Sequence, residues 1–286
     1  MKLAYPLQKI QDWITQQWVI LFGQKIESKT HHWLIGPFGE LNGIGGNFIH
    51  QLAEKENLII DREQQNKGLI NNFNALHLKP DELERIHPMI IDFYENTSNY
   101  TLHLTVKWNP IFIPFGFLLQ KIFSQRLNQL NIPTQNLNQD DSIESEIIQL
   151  KSPSTHEILY TFWLRKSAQT GTVIYAGIYG TTELPNEKHV VKAVFPLPKG
   201  NATVLLEPIV SKDGQFILRS VGQTFGDVGF YFLLHDARQQ KWAKYIATFQ
   251  DQLTVSVKNE TLIAKQQLRI WQRNVVEFNY KIHPKA

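Results

Sequence analysis

Apolar and polar residues alternate with a period of two from Tyr100 to Lys107. Tyr100, Leu102, Leu104 and Val106 fall on one side, and Thr101, His103, Thr105 and Lys107 on the other. That period places one face of a strand on a core and the other in water. After Ile147 the pattern recurs in series. Strand-like runs lie near 156–166, 171–180, 189–195, 202–210, 215–221, 228–235, 243–249, 252–258, 261–270 and 274–283, each bounded by turn residues. Asp213-Gly214, Lys258-Asn259-Glu260 and Gln272-Arg273-Asn274 mark hairpin tips. No helical period separates these runs, so the sheet is predicted to be mainly antiparallel, and closure or strong curvature would remove its exposed edges.

Helical spacing is confined to the first half. Ile10, Trp13, Ile14, Trp18 and Leu21 predict a short amphipathic helix within 7–26, and Asn47 caps a second one running through Lys55. Pro80-Asp81-Glu82 has the composition of a first helical turn, and Pro88 suits the first position of another helix, whose apolar stripe is Met89, Ile90, Phe93 and Tyr94. From Phe115 to Leu130 an amphipathic helix is expected, with Phe115, Leu118, Leu119, Ile122, Phe123, Leu127 and Leu130 on its apolar face. Residues 133–146 are polar and aperiodic, as a linker or long surface loop would be.

These elements predict an α+β fold, predominantly antiparallel β. A mixed N-terminal part (1–132) leads through a linker or loop (133–146) to a β-rich part (147–286) shaped as a barrel or strongly curved sheet. The two parts are also compatible with one continuous domain.

Composition adds exclusions. With 42% hydrophobic and 19% charged residues the chain has ample material for a core, and a formal charge of +3 without a long basic block argues against nucleic acid as a partner. The absence of cysteine removes disulfides, thiol nucleophiles and thiolate metal sites. The N-terminus has no uninterrupted apolar run followed by a cleavage site, so a cytoplasmic location is expected. The longest apolar run, Ile111 to Leu119, is shorter than the about 20 residues that span a bilayer.

Residues 31–61 follow the order of a dinucleotide-binding unit: apolar run, glycine-rich loop, helix, apolar run. Yet Phe48 stands where the third glycine of that motif belongs, which favours a surface loop or a flap over a pocket. Gly-x-Ser-x-Gly and His-Glu-x-x-His are both absent, and the adjacent His31 and His32 would point to opposite faces of a strand. No metal and no cofactor are expected.

The abundant aromatics, 7 Trp, 9 Tyr and 17 Phe, carry the functional expectation, because many fall in the strand runs and can line a barrel of ligand-holding size. The chain is read as a non-catalytic binding protein for a hydrophobic small molecule or lipid, its pocket closed by the 110–130 segment. Phe112, Phe115, Leu119, Tyr175, Tyr179, Phe230, Phe232 and Arg165 are the expected ligand contacts. Two alternatives stand beside this. One is an enzyme in the same pocket, with His87, Glu95, Asp227 and Arg219 as polar candidates. The other is a protein-interaction module or a peripheral protein at the inner membrane surface, with the exposed apolar residues of 108–117 as its anchor.

Overall fold

The computed structural model describes residues 3–4, 10–39, 46–113 and 137–285, with the backbone alone at 11, 46 and 137–142. The expected 115–130 helix, with Phe115 and Leu119, and the glycine loop at 40–45 lie outside the described residues.

The strand runs of the second half form a barrel. Its strands are β3 (Tyr100–Trp108), β4 (Leu137–Lys151), β5 (Ile158–Ser167), β6 (Val173–Glu183), β7 (His189–Leu197), β8 (Gly200–Val210), β9 (Phe216–Arg219), β12 (Phe249–Lys258), β13 (Thr261–Ile270) and β14 (Arg273–Pro284). Neighbours pair antiparallel in the order β8-β7-β6-β5-β4-β3-β14-β13-β12-β9, and β9 returns to β8. The ring therefore closes without a free edge. The strand β3, from the N-terminal half of the chain, sits between β4 and β14. Much of the polar stretch 133–146 is strand: β4 begins at Leu137 and pairs with both β3 and β5. Its first part, Leu137 to Glu146, is mostly polar and carries no apolar period from which a strand could be read.

Two hairpins are tight: one lies at Asn259-Glu260, where its turn residues mark it, and the other falls one residue ahead of the expected Gln272-Arg273-Asn274 tip, since Arg273 and Asn274 already pair in β14. Asn259 and Glu260 between β12 and β13, and Trp271 and Gln272 between β13 and β14, all take positive φ, as a two-residue turn of primed type requires.

At β8 the sheet forks. Its second half pairs with β9, while its first half pairs with β10 (Gly229–His235), which continues through β11 (Lys241–Tyr245) to β1 (Gln24–Ile26). Helix α1 (Ile10–Phe22) lies on this side sheet, where Val19 and Ile20 pack with Leu234 and Trp242. Helix α2 (Gly46–Glu56) covers the outside of β4 to β7, burying Phe48, Ile49 and Leu52 against Ile148, Phe162, Leu164 and Ile178. Buried on both faces, β6 loses its alternation over Val173 to Ile178. β2 (Ile59–Asp61) pairs with β4. Trp33 and Leu34, in the apolar run that opens residues 31–61, form a turn in which Leu34 and Ile35 donate to the His31 carbonyl, and both residues bury against the side sheet.

The remaining helices cap the barrel. α3 (Pro80–Arg85) and α4 (Pro88–Glu95) begin at the prolines that marked them, and α4 directs Ile90, Phe93 and Tyr94 into the main core. Tyr94 and Phe73 each stack near Phe216, with ring centroids 5.2 Å away, which fixes the cap to β9.

Candidate functional site

Strand alternation decides what faces inward. Trp163 and Arg165 of β5, Tyr175 and Tyr179 of β6, Asp251 and Leu253 of β12, Ala264 and Gln266 of β13, and Tyr280 of β14 all line one internal cavity of about 90 Å³. Leu69, Ile70, Phe93 and Tyr94 close it from the cap. Most of the wall is apolar; the polar groups gather around one residue.

Arg165 is that residue, only 5% exposed. Its guanidinium lies 3.8 Å from the Trp163 ring centroid and 4.5 Å from that of Tyr175. Nη2 donates to the Tyr179 hydroxyl at 3.0 Å, while Nε has no partner. Trp163 is itself held by Nε1 donating to Ser145 Oγ at 2.8 Å.

A buried cation ordinarily meets a carboxylate. Here the carboxylate that shares the cavity is Asp251, whose Oδ2 accepts from Gln266 Nε2 at 2.8 Å and whose Oδ1 has no partner. Burial pushes Asp251 up to about 7, against the opposing pull of the Gln266 hydrogen bond and the Arg165 charge. Its side chain retains some surface, because it forms part of the cavity wall, but protein surrounds it on all sides. Burial also raises the hydroxyls of Tyr94, Tyr175 and Tyr179 above their ordinary value and that of Tyr280 to about 12. The Arg165 charge lies close enough to Tyr280 to oppose that rise, although the pair does not reach hydrogen-bond geometry.

Five buried polar atoms of the cavity lack a hydrogen-bond partner: Tyr94 Oη, Arg165 Nε, Tyr175 Oη, Asp251 Oδ1 and Tyr280 Oη. Only two others among the described residues, Trp33 Nε1 and Arg219 Nε, share that condition. Folded proteins seldom leave such atoms unmatched, and their concentration in one place makes this cavity the candidate site.

Of the residues expected at a ligand site, Arg165, Tyr175 and Tyr179 line the cavity. Phe112 packs on the outside of the main core, and Phe230 and Phe232 meet edge to face, ring centroids 5.1 Å apart, away from the cavity wall. The polar candidates do not meet. His87 caps α4 by accepting from Met89 N, and Glu95 accepts from Phe73 N at 2.6 Å. Asp227 accepts from Gln223 N and Thr224 N within its own turn, and Arg219 lies 3.9 Å from Glu207. Asp251, Tyr94, Gln266 and Tyr280 escaped the sequence reading. The signal for Asp251 was present: Asp251, Leu253 and Val255 share one strand face, but the expected strand boundary at 252 cut it off.

A second surface feature lies on α1. Ile10, Ile14, Trp18, Leu21 and Phe22 form an outward apolar stripe, with Ile10, Leu21 and Phe22 exposed at 75%, 63% and 66%. Lys244 Nζ sits 4.9 Å from the Trp18 ring centroid and donates to the Phe22 carbonyl at 3.1 Å.

Over 190 residues the chain is 25% identical to the Bacillus subtilis (strain 168) protein named uncharacterized membrane protein YndJ. It resembles part of a longer protein. The match covers 66% of this chain and 33% of that relative. No family model and no solved structure matches. No helix among the described residues is long and apolar enough to cross a membrane.

Proposed function

We propose that this barrel is a non-catalytic binding protein for a small, largely apolar molecule, held between α4 and the strand wall. The observation that carries the reading is the set of five unpartnered polar atoms in an otherwise apolar internal cavity. A cavity of about 90 Å³, smaller than the about 150 Å³ that holds benzene, suits a short branched body rather than an aromatic ring or a whole lipid acyl chain. On this reading α4 with Leu69 and Ile70 covers the cavity from the cap side. Calorimetric titration with a neutral branched probe such as isobutyramide tests it: saturable one-to-one binding supports the reading, and absence of heat together with an unshifted melting temperature counts against it.

A second reading, membrane-surface attachment, is favoured by the α1 stripe. A helix with apolar residues facing both its own sheet and the exterior is suited to lie in a bilayer interface, with a lysine beside its tryptophan to meet anionic head groups. The Bacillus relative's description as a membrane protein agrees with it. The two readings are compatible, since the stripe and the cavity involve different strands.

A further inference from the structure

We propose that the ligand is a small monocarboxylic acid, its carboxylate received by the free edge of Arg165 and by the hydroxyls of Tyr175 and Tyr280. This rests on the small-molecule reading above and adds the ligand's charge to it.

The argument starts from the faces of the guanidinium. Trp163 and Tyr175 cover them, so a ligand meets the cation at its edge, where N–H groups point. Nη2 is committed to Tyr179 and Nε to nothing. Among the described residues no carboxylate forms an ion pair with Arg165. A guanidinium edge is a matched receptor for a carboxylate. The tyrosine hydroxyls, ordinary protonated donors within the same wall, extend that receptor. A cationic ligand is disfavoured because Arg165 already occupies the aromatic faces that would hold it. A phosphate monoester would bring a second negative charge into an apolar cavity with one cation to match it.

Asp251 then tunes the affinity. The groups around it are Gln266 from β13, Arg165 from β5, Tyr175 and Tyr179 from β6, and Tyr280 from β14. Ionised, Asp251 offsets the Arg165 charge and repels an acid. Protonated, it leaves that charge to the ligand and adds one O–H donor.

The test is calorimetry of propionate against propionamide, and of isobutyrate against isobutyramide, with the wild-type chain at pH 6 and pH 8.5. The acid of each pair is expected to bind about tenfold or more tightly than its amide at pH 6, as a charge-assisted hydrogen bond supplies. The preference is expected to shrink at pH 8.5. Arg165→Met is expected to abolish it while the amides still bind. Equal affinity for acid and amide in the wild type at both pH values overturns the inference and leaves the small-molecule reading standing. Failure of all four probes to bind overturns both. If Arg165→Met does not fold, the wild-type comparison across pH decides alone.

Discussion

The guanidinium carbon of Arg165 lies 3.8 Å above the centre of the Trp163 ring, its neighbour two residues back on the same strand face. The ring is in turn tied to Ser145 on β4. An inward cation is thus fixed by an aromatic platform, and the platform by a hydroxyl on the next strand. Ser145→Ala leaves a part-buried indole N–H unmatched. It is expected to lower stability by about 1 kcal/mol in chemical denaturation and to weaken isobutyramide binding, whereas loss of stability with unchanged affinity would show that the ring position does not matter to the site.

Asp251 makes stability depend on pH. Its folded value of about 7 lies well above that of an unfolded aspartate. Between about pH 4 and pH 7 the unfolded chain has released this proton while the folded chain retains it, so stability falls as pH rises. Above about 7 the loss is complete, up to about 4 kcal/mol for that gap. Asp251→Asn removes the contribution. Its stability relative to wild type is expected to be greater at pH 8 than at pH 4, with the change centred in that window, as urea midpoints across pH would show. A difference that does not vary with pH would contradict the burial of this carboxyl.

Gly68 lets the strap over α4 lie close. A Cβ there would stand 2.3 Å from the Glu95 carbonyl carbon and oxygen and the Tyr94 carbonyl oxygen, all backbone atoms. The same strap is laced to α4 by Ile70 N donating to the Tyr94 carbonyl at 3.1 Å. Gly68→Ala is expected to cost roughly 1–3 kcal/mol by forcing the strap outward. Because Leu69, Ile70 and Tyr94 line the cavity, probe affinity should fall as well.

The sequence disclosed the barrel strands more readily than the site. Strands with one wet face, such as β3 and β14, announced themselves by alternation, and turn residues fixed the hairpins. β4 did not, because its first half is polar. The cavity depends on which strands neighbour one another: Arg165 is set against Tyr175 by the pairing of β5 with β6, and Asp251 reaches the same space from a strand 86 positions later in the chain. Spacing along the chain carries no record of that meeting. Arg165, Tyr175 and Tyr179 stood among the expected ligand contacts, but Asp251, Gln266 and Tyr280, which meet them across the barrel, did not.

The α1 stripe yields a prediction separate from the cavity. Wild-type protein is expected to sediment with vesicles containing anionic phospholipid. The double variant Ile14→Gln and Trp18→Gln, altered only on the outward face, should sediment less at equal folding by circular dichroism. Equal pelleting of the two proteins would exclude this face as an anchor, and pelleting of neither would exclude membrane attachment through it.

Ala264 lines the cavity from β13, and a larger side chain there fills the space without burying a polar group. Isobutyramide titration of wild type against Ala264→Leu therefore tests the central claim most directly. The wild type is predicted to bind one molecule saturably, and Ala264→Leu to remain folded and bind none. Equal affinity in the two proteins would place any binding elsewhere and contradict the cavity as the ligand site.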